Sequence, residues 1–362
     1  MPSSSPPKRI LIARLSALGD IVHSLPAVAA LRRALPGVTI GWAIEERWVE
    51  LLAARSSLSA AVRSPARPLV DAVHTVDTRV WRSSPFSVET RRAMRSLVRE
   101  LRAAEYDVTV DLQAAIRSAL LNRMSRAPAR LGFAKPRESL ARLFYTAAIA
   151  TPAVHVVDQG LQLASAILGK DVSTAEFPLP RDAAADAWCE QQIARFGGKQ
   201  FALINPGAGW GAKRWPAERY AQVARSLAQQ GLSVLVNSGP GEESLSRQVA
   251  EPGSNNIFSL SCSLSQLISL IRRARIFIGG DTGPSHLAAA CSIPVLAIYG
   301  PTDPARNGPY GPAGPNAAHI SVLRSPGSET SHARRSEPER GLLQMTADEV
   351  IAAARRLLEQ TR

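Results

Sequence analysis

The sequence predicts an α/β protein made of two doubly wound, parallel-sheet domains that face a cleft. Three observations predict it. A chain of 362 residues exceeds one compact domain of ordinary size. Short apolar runs alternate with helix-length segments along it, the pattern of strands joined by crossover helices. The alternation then restarts after the Pro-bearing stretch EFPLPRD, 176–182. The expected division is a polar lead over 1–8, a first domain over 9–175, a second over 176–345 and a terminal helix over 346–362 that can pack back on the first domain.

In the first half, RILIA at 9–13 is a short apolar run with the character of a buried parallel strand. A helix is expected over 21–35, a strand over 39–43, a helix near 48–54 and another at 89–104. A strand over 108–111 and a helix over 115–124 follow. In the second half, strands are expected at 201–204, 234–237, 276–278 and 295–298, and helices at 217–230, 242–250 and 264–274. The last helix, 347–360, comes after a polar segment at 325–340 that has no helical or strand period.

Composition narrows the function. Hydrophobic residues make up 45% and charged residues 20%, the balance of a globular chain. Cys189, Cys262 and Cys291 are widely spaced and odd in number, which suits neither a disulfide framework nor a zinc site and fits a reducing cytoplasm. No apolar run approaches the ~20 residues that span a bilayer, and Arg14 and Asp20 interrupt the first one before a signal-peptide core forms. The net charge is +13, and residues 1–170 hold +11 of it. Arg79, Arg82, Arg91, Arg92, Arg95, Arg99 and Arg102 crowd one helical segment and the loop before it. Such one-sided charge fits an anionic acceptor or membrane surface. Nucleic acid is the other reading of a basic chain, but zinc-finger spacing and RNP-type aromatics are missing and aromatics are only 5%.

Five motifs follow predicted strands, where open α/β sheets bind ligands. In GGDTGPSHLAAA, 279–290, Gly279 and Gly280 permit a sharp turn and close backbone approach. Pro284 opens a helix whose first amides, at Thr282 and Gly283, attract phosphate. Asp281 and Ser285 as caps and His286 as a core residue is the plainer alternative. In RLSALGD, 14–20, Asp20 at a helix mouth can cap the helix or take a proton from a sugar hydroxyl. NPGAGWGAKRWP, 205–216, has neither the dinucleotide GxGxxG spacing nor a P-loop GK[ST], leaving a phosphate-friendly loop with Lys213 as its cation and Trp215 as its anchor. In NSGPGEE, 237–243, Glu242 or Glu243 can bind a ribose hydroxyl pair or simply face the helix dipole. YGPTDP, 299–304, reads as a rigid turn. The chain has no Asp-x-Asp pair, so a metal-chelated diphosphate is not indicated and neither a metal nor a cofactor is expected.

RLSALGD, KRWP and GGDTGPSHLAAA followed by YGPTDP resemble glycosyltransferase family 9, the ADP-heptose:lipopolysaccharide heptosyltransferases. VDLQAAIRSALL (110–121), RESLARLFY (137–145) and HVVDQGLQLASAILG (155–169) are most similar to its heptosyltransferase I branch. The resemblance covers roughly residues 9–315 and the helical tail. It implies a GT-B fold, inversion at the anomeric carbon without a metal, and transfer of L-glycero-D-manno-heptose from ADP-heptose to Kdo of a lipid A precursor. It also implies a cytoplasmic enzyme, peripheral on the inner face of the inner membrane. By position, Asp20 is the implied general base, Lys213 the phosphate lysine, and Asp281, Thr282, Gly283 and His286 donor-binding residues. Ser16, Gly19, Arg79, Arg82, Arg117 and Arg137 are expected at the anionic acceptor. Leu15 and Ala17 depart from the family, where relatives often carry hydroxyls, and 325–340 matches no part of it. Another family 9 activity, adding a later heptose or using a different nucleotide sugar, is the nearer alternative; a basic nucleic-acid-binding protein is the remote one.

Overall fold

The computed structural model describes residues 7–54, 62–198, 200–250, 256–331 and 333–361. The chain divides into two units, Met1–Pro180 and Arg181–Arg362. The first runs β1 (Arg9–Ala13), α1 (Leu18–Ala34), β2 (Thr39–Glu45), β3 (Ala72–Val76), α2 (Thr78–Ser83), α3 (Val88–Ala103), β4 (Val108–Asp111), α4 (Ile116–Met124), β5 (Ala129–Phe133), β6 (Ala147–Ile149) and α5 (Val156–Leu168). The second runs α6 (Ala183–Arg195), β7 (Phe201–Asn205), α7 (Ala217–Gln229), β8 (Ser233–Ser238), α8 (Glu243–Ala250), β9 (Ile257–Ser261) and α9 (Leu264–Arg273). It continues with β10 (Ile276–Gly280), α10 (Gly283–Ala290), β11 (Val295–Tyr299), α11 (Pro304–Asn307), β12 (Ile320–Arg324), α12 (Arg340–Gln344) and α13 (Ala347–Gln360). No helix among the described residues is long and apolar enough to cross a membrane.

Each unit holds a six-stranded parallel sheet, ordered β3-β2-β1-β4-β5-β6 in the first and β12-β11-β10-β7-β8-β9 in the second. In both, the first strand of the unit has neighbours on either side, so the order reverses beside it: between β1 and β4, and between β7 and β10. Loops leaving a sheet at such a reversal diverge and open a crevice at the carboxyl ends of the strands. The registers Ile10 opposite Val108 and Asn205 opposite Gly279 bring the paired strand ends level.

Continuous apolar runs form the central strands because both faces are covered. Ile10, Leu11 and Ile12 are fully buried, as are Leu203, Ile204, Phe277 and Ile278. α1 packs along α5, and a Cβ on Gly160 would already touch that of Ala27 at 3.5 Å, which shows how near the two helices lie.

The division falls after Pro180 rather than at 175/176, and Glu176 forms an ion pair with Arg33 of α1 that ties this stretch to the first unit. The helix expected near 48–54 is only a short 3-10 turn at Glu46–Leu51. Of the polar lead, residues 1–6 lie outside the described part, and the Lys8 and Arg9 amides both donate to Asp107 at 2.8 Å.

α13 packs on α7 within the second unit, where Val350, Ala353, Ala354 and Leu357 join the core of Trp215, Tyr220, Val223 and Leu227. The Trp215 indole N–H donates to the Met345 carbonyl at 3.1 Å, and Arg275 donates to the Leu358 carbonyl at 2.9 Å. Leu357→Ala should therefore lower unfolding stability by about 2–5 kcal/mol, the range for emptying a buried leucine site. Chemical denaturation of the two proteins checks this, and a loss under about 0.5 kcal/mol, the size of an ordinary surface change, would contradict the packing.

Candidate functional site

In the second unit, β7 and β10 deliver the two halves of a charged cluster. The chain leaves β7 through 206–210, makes a short turn at Gly211–Lys213 and enters α7 after Trp215. Trp215 is the expected anchor, 2% exposed and set edge-on against Tyr220 at 4.8 Å between centroids. Lys213 reaches back to form an ion pair with Asp281, just past β10. His286 Nε2 lies 3.6 Å from the other Asp281 oxygen. Asp281 is 8% exposed and Lys213's side chain 12%. Burial opposes ionisation of Asp281, but the nearby His286 ring and Lys213 ammonium outweigh it and hold the carboxyl well below the usual carboxylate range.

Asp281 and Ser285 are therefore not the caps of α10. Thr282 occupies the cap position without a side-chain cap bond, and Ser285 donates instead to the Gly280 carbonyl at 2.6 Å. Gly279 and Gly280 remain in β10 and make no turn. At Gly279 the need is close approach, since a Cβ there would lie 2.9 Å from the Phe277 ring and 3.1 Å from the Asn205 carbonyl. α10 starts at Gly283 with Pro284 in its first turn. The Ser285 amide bonds the Thr282 carbonyl at 3.1 Å and Pro284 has no amide, which leaves the Thr282 and Gly283 amides and the helix dipole to favour an anion there.

Glu242 and Glu243 stand just beyond β8. Glu242 accepts from the Gly239 amide at 3.3 Å, and its carboxylate lies where a Cβ on Gly207 would be. Glu242 thus borders the phosphate-friendly loop, whereas the exposed Glu243 turns to the Gly241 amide at 3.1 Å. YGPTDP is structural as expected: Asp303 caps α11 through the Ala305 amide at 3.0 Å.

In the first unit, Asp20 occupies the first turn of α1 just past β1. Its Oδ1 pairs with Arg14 at 2.8 Å, and its Oδ2 accepts from the Ala17 amide at 3.2 Å. The capping contact and an accessible carboxylate coexist, because Asp20 stays 31% exposed and each oxygen keeps a second lone pair. Gly19 is buried beside it. Arg117, at the start of α4, donates to Ser16 Oγ at 3.3 Å. Glu138 accepts from the Ile116 amide at 2.8 Å, which places the exposed Arg137 on the loop that caps the same helix. Arg79 is exposed in the first turn of α2, after β3; the side chain of Arg82 lies outside the described residues. Ser16, Gly19, Asp20 and Arg117 are thus brought together, with Arg137's loop beside them, while Arg79 follows a different strand.

Sequence reasoning missed Arg14 and Gln113. Arg14 also donates to the Leu112 carbonyl, and Gln113 Oε1 accepts from the Leu15 amide at 2.7 Å. The loop after β4 therefore holds the loop after β1. Asp111 starts that loop: it accepts from Tyr145 at 2.7 Å and from the Gln113 and Ala114 amides at 2.9 Å. Burial dominates these bonds and pushes its carboxyl above the usual range. A signal was present in the Arg of RLSALGD and the Gln of VDLQ, both next to strand ends.

Residues 94–338 match the model of glycosyltransferase family 9 (heptosyltransferase). Among curated relatives, lipopolysaccharide heptosyltransferase 1 of Pseudomonas aeruginosa is 30% identical over 84% of this chain and 81% of its own. That of Escherichia coli K12 is 29% identical over 84% and 91%. The solved E. coli heptosyltransferase WaaC with ADP aligns at TM-score 0.76 and 26% identity, covering 98% of this chain and 100% of that one. The same protein with ADP-2-deoxy-2-fluoro heptose aligns at 0.74, over 96% and 99%. The architecture of two parallel-sheet domains is the GT-B fold.

Asp281→Asn should remove about 3–5 kcal/mol at pH 7, because it leaves Lys213 buried without its counter-charge. The folded Asp281 titrates below its unfolded value, so its contribution is complete above about pH 4 and fades as pH falls toward the folded value. Urea unfolding of both proteins at pH 7, 5 and 3 should show the gap narrowing only in the last step; a gap that widens on acidification would refute the assignment.

Proposed function

We propose, for a chain that belongs to glycosyltransferase family 9 (heptosyltransferase), that it moves L-glycero-D-manno-heptose from ADP-heptose to Kdo of a lipid A precursor. The enzyme is read as inverting and metal-independent, acting at the inner face of the inner membrane. The observation that carries this reading is the buried Lys213–Asp281 pair beside the start of α10, at the sheet reversal of the second unit. It is a built anion site, and solved relatives carry ADP or an ADP-heptose analogue.

The reaction is a single in-line displacement. Asp20 takes the proton of the acceptor hydroxyl as that oxygen bonds to the anomeric carbon, and the bond from that carbon to the diphosphate oxygen breaks. Attack on the face opposite the leaving group inverts the centre. Negative charge grows on departing ADP, where Lys213 and the α10 amides at Thr282 and Gly283 stabilise it without needing to reorganise. His286 keeps Asp281 from claiming Lys213 alone, and Glu242, beside the same loop, is placed for the ribose hydroxyls. Arg14 aims the Asp20 carboxylate. Arg79, Arg82, Arg117, Arg137 and Ser16 receive the anionic acceptor.

Asp20→Ala should lower turnover about 10²–10⁴-fold while costing only about 1 kcal/mol of stability. Product mass from ADP-heptose and a Kdo-bearing lipid A precursor, beside a thermal melt, measures both; full turnover with a large drop in melting temperature would leave Asp20 a cap and nothing more. Turnover should be unchanged in EDTA, and a strict Mg²⁺ requirement would sink the metal-free route.

α3 buries Thr90, Leu97 and Leu101 and exposes Arg91, Arg92, Arg95 and Arg99. On this reading that face meets anionic lipid, each arginine contributing about 1 kcal/mol near the surface. Replacing Arg92, Arg95 and Arg99 by Gln should weaken binding to anionic vesicles and raise the KM for lipid acceptor, with ADP affinity unchanged. Sedimentation with vesicles decides it; unaltered binding and kinetics would make the run a solvated face.

A further inference from the structure

The 325–340 segment, SPGSETSHARRSEPER, has no counterpart in the motifs that carry the resemblance, yet the structure fastens it to the phosphate-friendly loop. Ala212 donates its amide to the Arg335 carbonyl at 3.0 Å, and its own carbonyl accepts from the Glu339 amide at 3.1 Å. Both backbone groups of Ala212, the residue before Lys213, are thereby taken by the segment. A Cβ on Gly211 would run into the Ser336 carbonyl, so this contact requires a residue without a side chain. The segment is pinned elsewhere too. Ser331 donates its amide to the Pro301 carbonyl at 2.8 Å. Glu339 gathers the Glu329, Gly341 and Leu342 amides and the Ser328 hydroxyl at 2.8–3.3 Å.

So held, the segment brings Arg334 to Trp210. The guanidinium carbon lies 5.3 Å from the indole centroid, and Lys213 Nζ lies 4.2 Å from the same centroid. The indole N–H is covered and has no hydrogen-bond partner among the described residues; the ring face attracts both cations. Lys213 has Asp281 as its counter-charge, whereas Arg334 has no carboxylate partner among the described residues. Two cations gathered on one ring against one carboxylate leave positive charge unbalanced beside the phosphate lysine. A guanidinium fork matches phosphate oxygens two at a time, which an ammonium does not.

We infer that residues 333–339 form a strap that fixes the Lys213 loop, and that Arg334 is a specificity-determining cation for the second phosphate of a nucleoside diphosphate. This rests on the donor reading above, and it assigns the discrimination of diphosphate from monophosphate to a stretch inside the family match, which runs to residue 338, but outside the motifs quoted for the resemblance.

Calorimetric titration of the full chain with ADP and with AMP tests it. Arg334→Gln should weaken ADP about 10-fold, the worth of one charge-assisted hydrogen bond, and AMP less than about 2-fold; Arg334→Lys should restore part of the ADP affinity. Gly211→Ala should push the strap away and reproduce the selective loss, and if that variant fails to fold, the Arg334 pair still decides. If the parent protein binds no ADP, the donor reading fails and takes the strap with it. If the parent binds ADP and Lys213→Ala weakens it while Arg334→Gln changes nothing, the donor reading stands and the strap inference is overturned. Equal weakening of ADP and AMP by Arg334→Gln also overturns it, since the arginine would then only be holding the loop.

Discussion

A carboxylate buried at the end of a strand needs a counter-charge, and Asp281 sets that condition for the second unit. Leaving such a group unpaired costs several kcal/mol, so the loop after β7 must return Lys213 to the neighbouring strand end. Three features make the return possible: the register of Asn205 opposite Gly279, the close backbone approach at Gly279, and Trp215 locking the loop's far side into the core. The ion pair is therefore a folding constraint and, on the proposed reading, a preset anion site. On that reading an incoming diphosphate finds the lysine already desolvated and oriented, so less ordering remains to be done on binding.

The first unit repeats the topology with different energetics. Its charged pair, Arg14 with Asp20, sits at the corresponding sheet reversal but stays partly in solvent. The desolvation cost is smaller, and the carboxylate remains open to a proton donor. The same fold thus supplies a buried pair suited to holding charge and a half-buried one whose carboxylate, on the proposed reading, moves a proton. That distinction follows from the loops alone, since both sheets have the same strand pattern.

The central strands were legible because ILIA at 10–13, FALI at 201–204 and IFIGG at 276–280 are apolar throughout and buried on both faces. The outer strands were not. In β3, buried His74 hides its polarity by bonding Glu100 and Tyr106 at 2.6 Å; β9 and β12 are edge strands, half exposed, with no continuous apolar run. α6 buries only Ala185 and Cys189 and so shows no apolar stripe. Asp20, Lys213, Asp281 and His286 could be read because each lies within a few residues of a strand end. Arg14, Gln113 and Arg334 depend on partners that only folding brings near. An amphipathic 347–360 announces that it packs, but its destination is written in Trp215 and Arg275.

The closing contributions to the two cores come at very different points along the chain. α5 completes the packing against α1 by residue 168, whereas the second core lacks Val350, Ala353 and Leu357 until α13 is made. At a synthesis rate of roughly 5–20 residues per second, the first unit can close some 10–40 s before the second has its full complement of apolar residues. From the end of β12 at Arg324 until α13 is made, Trp215, Tyr220 and Leu227 lack that cover on a nascent chain whose sheet strands already exist. The second unit is thus the part of this protein with most need of protection on the ribosome.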